Sequence, residues 1–232
     1  MTTPDSTETN SSNMVVISPA VAEGVVSSAL NYPPVSKEID CNGIYFGIFR
    51  PNYQQRCIDA FYHYFYDAHP FLPPRHQLLQ LLKTNPMEHL QTAMCYIGSR
   101  YVSGLSTEAY ALEFESYLSD CKPAPKDAYM VQAMLLFALG LDGNKEREKA
   151  IEVLIKAQAL AAGLGMNQRE YAVINGRGSS VCEESLRRSW WELYVVSVMA
   201  AGFHGRGTFH RQDSLSNVPL PCEEKEFASG VS

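Results

Sequence analysis

From residue 53 onward the apolar residues of this chain recur at intervals of three and four, and proline, glycine or a capping residue cuts each run short. That spacing puts apolar side chains on one face of a helix, not on the alternating faces of a strand. Tyr53, Cys57, Ala60, Phe61, Tyr64 and Phe65 mark a first helix, ended by His69-Pro70. Pro73-Pro74 starts a second, through Leu78, Leu79 and Leu82. Asn85-Pro86-Met87-Glu88 reads as a helix start, with Asn85 as cap, Pro86 at the first helical position and Glu88 completing a capping box. That helix carries Leu90, Ala93, Met94, Ile97 and Tyr101, with Gly98 inside it. Ser106 caps a fourth helix, with Ala109, Leu112, Ser116 and Tyr117 on one side and Leu105 as a staple. Asp127 caps a fifth, whose stripe is Val131, Leu135, Ala138 and Leu139.

Asp142-Gly143-Asn144 reads as a turn. A sixth helix shows Ala150, Val153, Leu154, Ala157 and Ala161 and stops at Gly163 and Gly165. Residues 167–180 read as a polar loop, and Ser180-x-x-Glu183 is a second capping box. It opens a helix through Leu186, Trp190, Leu193, Tyr194, Ser197 and Ala201. The expected fold is all-α, about seven packed antiparallel helices joined by short loops. No alternating strand of useful length follows Phe49, although residues 44–49 can extend locally. No repeat register near 34 residues holds. Residues 1–36 are rich in Ser, Thr, Val and Ala, contain four prolines and lack a period. They read as part of a disordered, flexible tail over 1–40, with a stray extended piece at 15–17. A domain is expected over 41–222 and a second tail over 223–232.

With 232 residues the chain has the length of one domain or a little more, enough to bury a core without metal or disulfide. Acids outnumber bases 25 to 19, a formal net charge of −6. That balance argues against a nonspecific nucleic-acid binder, which needs spare cations to displace phosphate counterions. No apolar run approaches the length that crosses a bilayer, and no basic residue precedes position 37 to open a secretory signal. The expected compartment is reducing and intracellular.

Under those conditions the six cysteines, Cys41, Cys57, Cys95, Cys121, Cys182 and Cys222, read as scattered, buried small hydrophobes. No Cys-x-x-Cys pair supplies a zinc chelate loop, and His63 and His69 fall on different sides of a helix. There is no G-x-S-x-G elbow, H-E-x-x-H helix, P-loop or Asp-rich cluster for magnesium. No cofactor, metal or catalytic residue is assigned, and the chain reads as a non-enzyme.

Three features remain. The Gly176-Arg177-Gly178-Ser179-Ser180 loop is either a connector whose Ser180 caps a helix or an anion seat at a positive helix end. Arg187-Arg188 beside Trp190-Trp191 suits either phosphate contact with base stacking, or a buried Trp pair with Arg–carboxylate pairing. Glu183 and Glu184 stand four residues before the two arginines, so i,i+4 pairs are available and the structural reading is preferred. The run Phe61, Tyr62, His63, Tyr64, Phe65, Tyr66 is too dense for one buried face and lines a helix interface or a ligand pocket.

Several segments, in order, resemble the fungal-specific transcription factor domain, the middle homology region of regulators that carry a binuclear zinc cluster. Ile58-Asp59-Ala60-Phe61 through His69-Pro70-Phe71-Leu72 is similar to its opening aromatic helix and turn. Tyr96-Ile97-Gly98-Ser99-Arg100-Tyr101 and Val131-Gln132-Ala133-Met134-Leu135-Leu136 are similar to two of its inner helices. Ala161-Ala162-Gly163-Leu164-Gly165 is similar to the end of a third. Arg187-Arg188-Ser189-Trp190-Trp191-Glu192-Leu193-Tyr194 is similar to its paired-Arg, paired-Trp signature, and Val218-Pro219-Leu220-Pro221 to the segment beyond. The resemblance covers roughly 44–222 and singles out Gln132, Gly163, Gly165, Arg187, Arg188, Trp190 and Trp191 as signature positions.

The resemblance implies an α-helical regulatory domain of a nuclear regulator that restrains activity, responds to small-molecule effectors and supports dimers. The expected partners are proteins, including a full-length relative, and a small effector. No membrane contact is expected. Direct DNA contact is not expected either, because the family's cysteine cluster is missing from this sequence. Two further departures stand out: no Asp near Ser197, and His204-Gly205-Arg206-Gly207 where the family has Gly-Arg-Pro. The chain also stops soon after Pro221, where relatives continue, and is expected to be a truncated or stand-alone member. The competing reading is a small all-α ligand carrier or enzyme of fungal secondary metabolism, using His63, Tyr64, Arg100 and Arg188.

Overall fold

Two helices of this chain are buried almost all round, and the rest of the fold is arranged about them. α3 (Glu88–Gly98) is buried at every position from His89 to Gly98 except Gln91. α5 (Ala128–Gly143) is buried from Ala128 through Leu141 with only Leu139 partly exposed. Such all-round apolar helices belong in a core, not on a surface. α1 (Pro51–Tyr64), α4 (Thr107–Leu118) and α5 pack on α3, and α6 (Arg147–Leu164) packs on α5. α8 (Ser180–His204) lies against α5, α6 and the short α7 (Arg169–Asn175). α2 (Arg75–Thr84) and α9 (Glu224–Ser229) complete the set. The structure is a computed structural model and describes residues 51–119, 121–123, 125–204 and 216–230. The expected tail over 1–40, the extended pieces at 15–17 and 44–49, and Cys41 lie outside the described residues.

Every regular element among the described residues is helical, as the spacing predicts. Two caps are where they were expected. Ser106 Oγ accepts from the Ala109 N–H at 3.3 Å, and Asp127 Oδ1 from the Met130 N–H at 2.9 Å. Gly165 follows α6 in the left-handed region, at φ 77°, which glycine enters without a Cβ clash.

Other boundaries differ. Asn85 closes α2 instead of opening α3: its N–H donates to Leu81 O at 2.8 Å, and α3 begins at Glu88 with no side-chain cap. Ser179, not Ser180, caps α8, accepting from the Cys182 N–H at 3.4 Å. Asp142 and Gly143 finish α5, and the turn falls on Asn144 and Lys145. Within the expected polar loop at 167–180 sits α7, with Ala172 buried. Within residues 223–232 sits α9, whose Phe227 is 1% exposed. Both are too short to show a period.

α1 and α3 approach at Gly98. A Cβ there would overlap the backbone carbonyl of Cys57, so only glycine permits the crossing. The dense aromatic run divides by face. Phe61 is buried, Tyr62, Phe65 and Tyr66 are partly buried, and His63 and Tyr64 are exposed, with Tyr64 stacked on Tyr101 at 4.7 Å. Cys57 and Cys95 are buried, but Cys121 is exposed and Cys182 and Cys222 are half-buried. The reading of the cysteines as core residues therefore fits only two of the five described.

Candidate functional site

Four of the signature residues, Arg187, Arg188, Trp190 and Trp191, lie on α8, and Arg188 and Trp190 are buried there. Glu184 is fully buried and is the hub. Arg188, one turn later, donates from Nε to Glu184 Oε1 at 3.0 Å, and Arg187 donates to the other oxygen. The Cys222 N–H also donates to Glu184 Oε1, at 2.8 Å. Arg188 reaches on with Nη2 to Cys222 O at 2.7 Å and Nη1 to Pro70 O at 3.4 Å, and its guanidinium lies 4.4 Å from the centre of the Phe227 ring. One carboxylate thus serves both arginines. Glu183, expected to pair with Arg187, instead packs against Gly176.

The tryptophans pin the same returning segment. Trp190 is buried and donates from Nε1 to Ser216 Oγ at 2.9 Å. Trp191 is half-buried and donates to Pro219 O at 2.9 Å. One residue on, Glu192 meets His69 Nδ1 at 2.6 Å.

Gln132 fixes α8 to α5. Its Nε2 donates to Ser185 Oγ at 3.1 Å and Ser189 Oγ at 2.7 Å, and those hydroxyls donate to Phe71 O and Ser185 O, each at 2.7 Å. Two phenols hold the 69–74 turn from α1 and its following turn. Tyr62 donates to Pro73 O at 2.7 Å and Tyr66 to Leu72 O at 3.1 Å. Burial pushes both phenols well up, so they stay neutral donors.

Gly163 and Gly165 lie apart from this network, at the end of α6. A Cβ at Gly163 would meet nothing within 4 Å, and Gly165 is the left-handed cap. The structure also does not gather His63, Tyr64, Arg100 and Arg188 into one pocket. Arg100 donates to Gly140 O at 2.6 Å and lies over the Tyr96 ring, whereas Arg188 is held by Glu184. At the glycine loop, Ser179 occupies one of the N–H donors that an anion would need. Among the described residues no cluster of three or more His, Cys, Asp or Glu could hold a metal ion.

α8 has a second, outward side. Tyr194, Val195, Val198 and Met199 are 37%, 47%, 44% and 51% exposed. Their spacing makes one apolar stripe. Beside it, α5, α6 and α8 line a partly open cavity of about 230 Å³ that reaches His69. Of the residues that α8 captures, Pro219 lies in the Val218–Pro221 segment that the resemblance marks, whereas Ser216, Cys222 and Phe227 carry no local signal in sequence. Glu184 alone is foreshadowed, by its spacing from Arg188.

The architecture defines an all-α packing domain built round one long helix whose charged and aromatic signature ties distant segments together. Residues 58–231 match the family model described as the fungal specific transcription factor domain, and the chain belongs to that family. A similar protein is the C6 finger domain transcription factor iacK of Pestalotiopsis fici, 41% identical over 177 residues, 76% of this chain and 26% of that protein. The chain therefore spans about a quarter of that relative's length. No solved structure matches. Among the described residues no helix is long and apolar enough to cross a membrane.

Proposed function

We propose that this chain is the regulatory domain of a fungal transcription factor, acting in the nucleus through protein contacts and leaving DNA reading to residues outside it. The orientation of α8 carries this reading. Its arginines and tryptophans, the groups that suit phosphate contact and base stacking, are committed within the chain: Arg188 and Trp190 are 7% and 5% exposed, and the half-buried Arg187 and Trp191 bond to Glu184 and Pro219. What α8 offers outward is apolar, and exposed apolar stripes suit protein partners. The partner favoured is a full-length relative that dimerises with this domain.

Co-expression with a full-length relative tests the reading. The two proteins are expected to co-purify, and Val198→Glu with Met199→Glu to abolish capture while melting temperature holds. An electrophoretic shift assay on the purified chain is expected to show no zinc-dependent DNA complex. A tight, chelator-sensitive shift, or capture untouched by the double change, overturns the proposal.

A further inference from the structure

We propose that the cavity between α5, α6 and α8 binds a small, mostly apolar organic acid of one or two fused rings. The inference builds on the regulatory reading only in casting that acid as an effector. Alanine faces the space from each of the three helices, at Ala138, Ala150 and Ala200, and this leaves about 230 Å³ between them. Leu154 and Met199 make the wall apolar. The volume lies below the range of roughly 300–1,000 Å³ that takes drug-sized ligands, so the ligand is small.

Among the described residues the polar lining is His69, Asp142 and Arg147. Asp142 is engaged in an interaction of its own. His69 has its Nδ1 against Glu192 at 2.6 Å, so Nε2 is the ring nitrogen left for a ligand. Arg147 is the first residue of α6, where the helix dipole adds positive potential. Among the described residues Arg147 enters no ion pair. An apolar chamber with a guanidinium at its lip that no described acid claims recognises an apolar body carrying a carboxylate.

Calorimetric titration of the purified full chain tests this, with naphthalene-1-carboxylate as probe and naphthalene-1-methanol as its uncharged counterpart. The carboxylate is expected to bind saturably at one site per chain. Arg147→Gln is expected to weaken the carboxylate about tenfold while leaving the alcohol within about twofold. Met199→Trp, which fills the space from an exposed position, is expected to weaken both probes more than tenfold at unchanged melting temperature. Absence of saturable carboxylate binding to the folded chain overturns the proposal, as does an Arg147→Gln effect that is equal for the two probes. The co-purification test is independent of both probes, so failure here is distinguishable from failure of the regulatory reading.

Discussion

Arg188 grips Glu184 one helical turn away, Nε to Oε1 at 3.0 Å, with the two residues only 7% and 0% exposed. A buried ion pair adds little over a well-packed apolar pair, because desolvation offsets the attraction. Removing one member is different, since the other charge is then stranded. Here the pair also carries outside groups, since Cys222 and Pro70 bond to it and Phe227 lies on the guanidinium. The arrangement therefore joins three chain segments through one ion pair.

Glu184→Ala is expected to cost about 3–5 kcal/mol, because it leaves Arg188 buried without its counter-charge. Urea denaturation followed by circular dichroism measures this. The Glu184→Leu, Arg188→Met double variant is expected to recover part of the loss. A single-variant cost under about 1 kcal/mol would show that the hub does not hold the segments together.

Two tyrosines separate a satisfied hydroxyl from an orphaned one. Tyr62 donates to Pro73 O at 2.7 Å, whereas the buried Tyr129 hydroxyl finds no partner among the described residues and burial pushes it up to about 12. Tyr62→Phe is expected to destabilise by about 1 kcal/mol, and Tyr129→Phe to be neutral or mildly stabilising. Thermal melts of the two variants, read side by side, check the contrast.

The residues show why some of this was legible and some was not. Ser106 and Asp127 cap helices visibly because a cap is a local event, decided within three residues. Asn85 failed as a cap because the same residue type also ends helices, and the upstream α2 claimed it. Arg188–Glu184 follows from helical spacing, but the choice of Arg187 for Glu184 over Glu183 is a matter of side-chain packing. α9 has six residues and depends on Phe227 meeting Arg188, a contact that only the tertiary fold creates. The cavity is a void between three helices, and no single stretch of sequence encodes a void.

His89 gives a pH dependence with a defined sign. Burial holds its imidazole below the ordinary value of 6.5, with Asp127 and Glu88 pulling the other way. Between the lowered folded value and 6.5 the unfolded chain binds a proton that the folded chain refuses, so stability there rises with pH. The contribution is fully present above that window and is lost as pH falls through it. His89→Phe keeps a ring beside Tyr117 and removes the titration. Denaturation midpoints taken from about pH 7 to about pH 5 are expected to fall less steeply in the variant than in the parent. Parallel slopes would show that other groups set the acid response.

Three glycines, one closing α3, one inside α6 and one just past its end, are expected to respond to alanine in three different ways. At Gly98 the new Cβ would overlap the Cys57 carbonyl, a backbone atom that cannot swing aside, so Gly98→Ala is expected to cost about 3 kcal/mol or more. At Gly165 the residue sits at φ 77°, where a Cβ is strained, and the expected cost is about 1–2 kcal/mol. At Gly163, inside α6, the Cβ meets nothing within 4 Å. There alanine only restrains the unfolded chain, and a gain of about 0.5–1 kcal/mol is expected. Chemical denaturation ranks the three. If Gly163→Ala proves stabilising and still binds a full-length relative, this signature glycine serves neither packing nor partner contact. If it folds normally but loses the partner, the open space beside Gly163 is itself part of the docking surface.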